Sequence, residues 1–305
     1  MMVEKKKRVL PTVTLDGSYR LCRERVRQRY AGWTWIAWNL DRQERDPLFA
    51  ILALTARTEK LCDIHVAKAA RGELLEDLRE DFRNNFMEEE STDQFPALLD
   101  TMQRFRIPQQ YLHDIVAAAD MCLRIDRFSS FDQWLQVGCR MGGGTMLAAA
   151  PVVGVKKAGF EPAAIQLGQA LYLTWLLNDI ADEIQKLQFF LPTDELNRFK
   201  VDLERHNPAN VSADMLSLWG ELISRIENLY RAGATFVEYL GLDGERVFTS
   251  LVSMGWHLLM QMKSNPRALF ANSSELAAPV KMGFQIKHVL GLESAKGLIR
   301  KSADH

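Results

Sequence analysis

Hydrophobic residues recur at helical spacing over most of this chain. Leu74, Leu75, Leu78, Phe82 and Phe86, for example, form one stripe along a helix. Leu, Ala, Met, Glu, Arg and Gln dominate, and the alternating β-branched runs that are typical of strands are scarce. The pattern therefore predicts an all-α protein.

Glycine and proline mark the breaks between the predicted helices. Pro47 suits the first turn of a helix and Gly72 suits its end. The predicted helices span residues 15–40 with a break near Gly32, 47–70, 74–87, 95–105, 108–124, 130–153 with an interruption at Gly142, Gly143 and Gly144, 162–186, a short helix from 192, then 215–239, 245–262 and 274–300.

The organisation of the chain favours one domain over residues 1–305, with a flexible tail at 1–14 and a polar connection at 88–92. No internal repeat, low-complexity tract or Pro/Ser-rich linker divides the sequence. A single all-α domain is therefore expected.

Charge and cysteine content exclude several classes of function. The formal net charge of -1 argues against nucleic acid as a partner, because neutralising phosphates needs a basic surplus. The four cysteines show neither zinc-site nor disulfide spacing, which predicts reduced, partly buried thiols in a cytoplasmic protein. The N-terminus lacks a signal-type apolar region, and no run approaches the ~18 apolar residues of a membrane span.

Two acidic segments carry the candidate chemistry. Glu59 and Asp63 are spaced i,i+4, which on a helix would place both carboxylates on one face, about 6 Å apart at Cβ. Asp179 and Glu183 repeat this spacing, and Asp182 follows Asp179 at i,i+3. Each segment ends a helix that is apolar nearly all round and therefore expected to be buried.

Carboxylates at the end of a buried helix need a cation, a metal or an opening to solvent. Mg²⁺ suits them, since it binds through one or two carboxylates and substrate phosphates. Two such segments facing each other could hold a diphosphate above an apolar cavity. The alternative is that both acid pairs are ordinary solvated helix faces.

Residues 167–199 read LGQALYLTWLLNDIADEIQKLQFFLPTDELNRF and resemble the second aspartate-rich region of the squalene and phytoene synthases. Residues 49–63 resemble the first region, and 131–154 resemble the intervening small-residue helix. The resemblance covers about residues 20–260. It implies an isoprenoid synthase-type helical bundle around a central apolar cavity. It also implies Mg²⁺-dependent head-to-head condensation of two prenyl diphosphates.

The resemblance also assigns candidate roles to individual residues. Glu59 and Asp63 match the first acidic pair and Asp179 and Glu183 the second, which makes these four the candidate catalytic residues. Together with Asp182 they are the candidate metal ligands. The candidate substrate-binding residues are Arg57, Lys60, Arg140, Tyr172, Trp175 and Asn178.

Several positions depart from the family pattern. Lys60 stands where the family's second aspartate would fall, and Asn178 replaces an arginine. Residues 29–33 replace a serine-rich diphosphate-binding segment, and 137–139 lack the usual tyrosine. Asn178 and Asp182 match the start of the metal triad of terpene cyclases, but Lys186 stands at its third position.

Some of these residues have simpler interpretations. Arg57 and Arg140 could form inter-helix salt bridges, and Lys60 could be an ordinary exposed lysine. Trp175 could stabilise a carbocation through its ring or simply fill the core. His65 is expected to point away from the acidic face.

Three functions remain open. The first is Mg²⁺-dependent ionisation of a farnesyl- or geranylgeranyl-type diphosphate, leading to a head-to-head prenyl product or a cyclised terpene. The second is a non-catalytic relative that acts as an assembly factor or lipid-binding protein. The third is an unrelated helical enzyme. A prenyl diphosphate partner, a monomer or homodimer, and a peripheral membrane contact for product release are expected with the first.

Overall fold

The computed structural model describes residues 13–37, 40–86, 95–181, 183–207, 210–271 and Gly297, and helices make up most of these ranges. Within these ranges no strand forms, so the predicted all-α class is confirmed. The predicted tail, polar connection and closing helix lie outside the described residues, except for Val13, Thr14 and Gly297. Thr14 caps the first helix through a 3.2 Å hydrogen bond from the Gly17 amide.

The helices are α1 Leu15–Arg29, α2 Ala31–Ile36, α3 Arg42–Leu61, α4 Lys68–Phe86, α5 Phe95–Phe105, α6 Gln109–Arg124, α7 Phe131–Gly138, α8 Gly144–Val152, α9 Glu161–Ile180, α10 Ile184–Phe190, α11 Thr193–Arg198, α12 Ala213–Gly233, α13 Leu242–Ser264 and α14 Pro266–Ala271. A π-helical turn, Cys139–Gly143, joins α7 to α8. Short 3-10 turns follow α11 and α12.

Most predicted breaks are confirmed, and two are wrong. The break near Gly32 appears as the junction of α1 and α2. Gly72, however, lies inside α4, where a Cβ would meet open space, so this glycine is tolerated in a helix rather than ending one. Pro47 lies inside α3, which begins at Arg42, rather than in its first turn.

The centre of the bundle is built on α9, which buries side chains all around its circumference. It packs most extensively against α12 and the π-helical turn, and also against α8 and α13. Gly168 of α9 faces Gly142 of the π-helical turn so closely that a Cβ on either would overlap the other's backbone. The predicted glycine interruption is thus a place of close helix packing.

Both acidic segments lie where a buried helix ends, but the helices end earlier than predicted. α3 stops at Leu61, and the Asp63 carboxylate accepts a 3.0 Å hydrogen bond from the His65 amide in the following turn. α9 stops at Ile180, and Glu183 has extended backbone angles just before α10. The expectation that each acid pair shares a helix face is therefore wrong. At Asp63, a local side-chain to backbone bond competes with continuing the helix.

The stretch after Leu191 has a structural role. Thr193 donates to the Phe128 carbonyl through its backbone and its hydroxyl, each at 3.0 Å. Glu195 is buried and pairs with Arg225 of α12 at 2.7 Å. These contacts attach α11 to α12 and to the segment before α7.

All four cysteines are free thiols, and three of them are buried, as predicted. None of the helices in the described ranges combines the length and the apolar character that a membrane span requires.

Candidate active site

The C-terminal ends of α3 and α9 meet in space, although about 120 residues separate them in the sequence. His65, just after α3, lies 3.0 Å from Glu183, just after α9. The charges of Glu59 and Asp179 also influence each other, since Asp179 contributes to the raised pKa of Glu59. The two acidic segments therefore converge on one region.

Glu59 lies at the most enclosed point of this region, with its side chain 17% exposed. Its carboxylate accepts a 3.1 Å hydrogen bond from Arg29 Nε at the end of α1. Burial raises the pKa of the Glu59 carboxyl above its ordinary value, although Arg29 and Tyr30 pull it down. The positive charge of Arg29 thus offsets part of the cost of burying this carboxylate.

Tyr30 and Tyr172 place two phenol groups beside Glu59. The Tyr30 hydroxyl is buried without a well-formed hydrogen-bond partner, and burial together with the Glu59 charge raises its pKa well above the ordinary value. Burial likewise raises the pKa of Tyr172, with further contributions from Cys122, Cys62 and Glu59. Both phenols are therefore neutral hydrogen-bond donors at physiological pH.

Lys186 of α10 lies between the two acids of the second segment. Its Nζ is 3.7 Å from Asp179 Oδ2 and 3.4 Å from Glu183 Oε2. It also donates a 3.3 Å hydrogen bond to the Asp179 backbone carbonyl. Asp179 and Glu183 can therefore direct oxygen atoms at one cation, even though they do not share a helix face.

Three other predicted residues lie on the last turns of α3 and α9 in less defined roles, and a fourth falls outside the described part of the chain. Asn178 has a buried Oδ1 atom without a hydrogen-bond partner. Lys60 is exposed on the last turn of α3. Trp175 is 37% exposed on α9, which argues against a ring lining an enclosed, dry cavity. Asp182 lies outside the described residues.

Two predicted basic residues are engaged in inter-helix ion pairs. Arg57 binds Asp81 of α4 at 2.9 Å, and Arg140 binds Asp114 of α6 at 3.1 Å. The alternative interpretation of both residues as salt-bridge partners therefore matches the structure. Neither contact links them to the acidic segments.

Sequence reasoning missed three basic residues of the site: Arg29, His65 and Lys186. The expectation that His65 points away from the acids is wrong, because the early end of α3 turns it toward Glu183. Arg29 lies in the segment that departs from the family pattern, and Lys186 at the broken third position of the triad. These two departures from the family pattern were the features of the sequence that could have pointed to Arg29 and Lys186.

The donor set suits Mg²⁺ in its chemistry, since it consists of carboxylate oxygens. Among the described residues, no three His, Cys, Asp or Glu side chains are grouped to hold a metal ion. The Lys186 ammonium nevertheless acts as a stand-in cation, and it shows that Asp179 and Glu183 can reach the same positive charge.

Most of the chain matches a known protein family. The model described as squalene/phytoene synthase matches residues 29–282. This chain belongs to the squalene/phytoene synthase family. The match begins at Arg29, so it includes both acidic segments and the three basic residues paired with them.

Relatives within the squalene/phytoene synthase family include several phytoene synthases. The chain is 28% identical over 203 residues to a 15-cis-phytoene synthase of Synechocystis sp., covering 62% of this chain and 60% of the relative. It is 30% identical over 196 residues to phytoene synthase 3, chloroplastic, of Zea mays, covering 60% and 46%. The matches thus span less than two thirds of these relatives' own lengths.

Solved structures of the family share the fold. A dehydrosqualene synthase in complex with a ligand superimposes with a TM-score of 0.78 at 16% identity, covering 91% of this chain and 97% of that one. Squalene synthase HpnC from Alicyclobacillus acidocaldarius gives 0.72 at 17% identity, covering 82% and 95%. The isoprenoid synthase-type fold that the sequence implied is therefore confirmed.

Proposed function

We propose that this protein is a Mg²⁺-dependent prenyltransferase that ionises a farnesyl- or geranylgeranyl-type diphosphate and joins two prenyl chains head to head. The observation that carries the proposal is the convergence of acids from the ends of α3 and α9 beside buried phenols. The family relationship supports it, since the relatives described above are named phytoene synthases.

The metal-binding part of the proposal assigns Mg²⁺ to the carboxylates of Glu59, Asp63, Asp179 and Glu183, with Asp182 as a further candidate. When bound, Mg²⁺ would neutralise charge on the diphosphate and make it a better leaving group. The buried, unpartnered Oδ1 of Asn178 is a further oxygen donor beside Asp179.

The remaining steps depend on this chain's own side chains. Arg29 and Lys186 are cations that can donate hydrogen bonds to phosphate oxygens, and Lys60 is exposed nearby. Tyr30 and Tyr172 are neutral donors that can orient the diphosphate without adding charge. The allylic C–O bond would break heterolytically, so that the electron pair leaves with the diphosphate and an allylic cation remains.

The product distinguishes the possible reactions. A head-to-head chain is proposed because the named relatives are phytoene synthases, whereas the exposed Trp175 gives no support to a ring-lined cyclisation cavity. A cyclised terpene would identify the other product that the sequence left open for this enzyme, and the absence of any product would favour the non-catalytic relative.

The test is release of pyrophosphate by the purified full-length chain from farnesyl or geranylgeranyl diphosphate with Mg²⁺. Products would be identified by mass spectrometry. Asp179→Asn should lower the rate by about 10²-fold or more, because it removes charge from the site. Asp243→Asn is the matched control, because Asp243 lies in the first turn of α13. The residue before that turn, Gly241, binds Gly154 in the connection that precedes α9, whereas Asp179 lies at the C-terminal end of α9.

Release of pyrophosphate that depends on Mg²⁺ and on Asp179, but not on Asp243, would support the proposal. If neither substrate releases pyrophosphate and neither a substrate analogue nor Mg²⁺ shifts the melting temperature, the enzymatic function is wrong.

A further inference from the structure

The Lys186 ammonium is held by three oxygen atoms at the end of α9. Two belong to the Asp179 and Glu183 carboxylates, at 3.7 and 3.4 Å, and the third is the Asp179 carbonyl, at 3.3 Å. The Lys186 side chain is only 19% exposed. The ammonium therefore faces three oxygen acceptors, of which the Asp179 carboxylate belongs to a side chain that is itself 59% exposed.

Arg29, at the end of α1, is the cation that faces the first acidic segment, and it is held differently. Its side chain is 55% exposed, and Glu59 is its ion-pair partner at 3.1 Å. Only the Arg29 side of this pair is open to solvent, because the Glu59 side chain is 17% exposed. Arg29 thus has one carboxylate partner, whereas Lys186 faces two carboxylates and a backbone carbonyl.

We infer that Lys186 is the resident cation of the second acidic segment and occupies the place between Asp179 and Glu183 that a divalent ion would take. In the substrate-free protein this segment therefore binds no divalent ion of its own. The inference rests on the proposed function only in one respect, namely that a diphosphate is the anion the ammonium would face.

The charges explain why a lysine can hold this position. Asp179 and Glu183 together carry two negative charges, and the Lys186 ammonium neutralises one of them. A free ion would have to leave bulk solvent each time it bound, whereas the ammonium is already in place. Because the ammonium is tethered to the same chain, its effective concentration at the two carboxylates is high. A free divalent ion must displace it before it can bind both acids.

The chain's own sequence agrees with this arrangement. Asn178, Asp182 and Lys186 are spaced i, i+4 and i+8, so a cation stands where the third member of an oxygen-donor triad would be expected. The early end of α9 and the start of α10 then bring that cation back over Asp179.

The experiment counts Mn²⁺ ions bound to the substrate-free, full-length protein by electron paramagnetic resonance. Lys186→Gln should gain one bound Mn²⁺ per chain that the wild-type protein lacks, because the substitution removes the ammonium that competes for the two carboxylates. Lys156→Gln is the matched control, because Lys156 is also a lysine near an acid, Glu245 at 3.9 Å, and its backbone binds Tyr239 rather than either acidic segment. It should leave the count unchanged.

A second substitution locates the gained site. Adding Asp179→Asn to Lys186→Gln should abolish the gain, because one of the two carboxylates is then missing. If Lys186→Gln does not fold, Lys186→Met keeps the hydrocarbon stem and answers the same question. Equal Mn²⁺ counts and affinities in the wild-type and Lys186-substituted proteins would overturn the inference.

The result is separable from the proposed function, because no prenyl diphosphate is present in the titration. A protein that fails to release pyrophosphate but gains a Mn²⁺ site on Lys186→Gln would refute the proposed function and leave this inference intact. A protein that releases pyrophosphate but gains no Mn²⁺ site on Lys186→Gln would refute this inference and leave the proposed function intact.

Discussion

At the residue scale, the site consists of carboxylates that already face cations of the same chain. Glu59 faces Arg29, Glu183 faces His65, and Asp179 faces Lys186. Burying a carboxylate is costly unless it is paired. These pairs let the protein keep acids at the ends of two apolar helices before any ligand binds.

The raised pKa of Glu59 leads to a prediction about stability and pH. A carboxyl whose pKa is higher in the folded than in the unfolded state makes the folded state bind protons more tightly. Stability therefore falls as the pH rises from the ordinary value of 4.5 through the raised value. Glu59→Gln lacks this dependence, so its unfolding free energy relative to wild type should increase over that range.

Urea unfolding of both proteins at several pH values measures this difference. The Arg29 pair forms only as Glu59 ionises, so its effect is already contained in the net direction of the Glu59 pKa shift. A difference that stays constant, or becomes smaller as the pH rises, would contradict the raised pKa.

At the scale of elements, the approach of the π-helical turn to α9 depends on two glycines. Gly142 and Gly168 contact backbone to backbone, which no residue with a Cβ can do at this distance. This contact sets how closely the middle segment lies against the helix that carries Asp179.

Gly142→Ala should therefore destabilise the protein by about 2 kcal/mol, in the range of overpacked cores. Gly220→Ala in α12 is the matched control, because a Cβ there meets nothing within 4 Å. It should be neutral or stabilise by about 0.5–1 kcal/mol, since alanine favours helix. Chemical denaturation measures the unfolding free energy of both variants. Equal effects of the two substitutions would show that the close contact between Gly142 and Gly168 does not contribute to stability.

At the scale of the whole molecule, the fold brings together two acidic segments from distant parts of the chain. The link between His65 and Glu183 and the mutual influence of Glu59 and Asp179 join them electrostatically. Under the proposed function they act on the same diphosphate and should behave as one unit.

Double-mutant kinetics test this coupling. Glu59→Gln and Asp179→Asn should each lower kcat/KM by about 10²-fold, and together by clearly less than the product of the two effects. Glu59→Gln combined with Asp243→Asn should show no coupling, because distant sites add independently. Multiplicative effects in the first pair would mean that the segments act separately.

The helical pattern and the resemblance predicted much of the architecture. The limits 95–105 match α5, the break near Gly32 separates α1 from α2, and the glycine interruption is the π-helical turn. The errors concern Gly72, Pro47 and the ends of α3 and α9. Helix ends depend on side-chain caps and turns as much as on periodicity, and these signals are short and compete with one another.

The site was predicted in part. Glu59, Asp179 and Glu183 lie together as acids of one region, and Tyr172 lies beside Glu59. Arg57 and Arg140 instead bind Asp81 and Asp114. A basic residue near an acidic motif in sequence can as easily face a neighbouring helix, because successive helical positions point in different directions.

By itself, the sequence determined the all-α class, the two apolar helices that end in acids and the family to which they point. These features are local, since periodicity and composition act over a few turns of chain. Only the tertiary structure decided which cation faces which acid. Arg29 meets Glu59 across 30 residues and His65 meets Glu183 across 118. Such pairs depend on how whole helices pack, because electrostatic attraction follows distance in space rather than position along the chain.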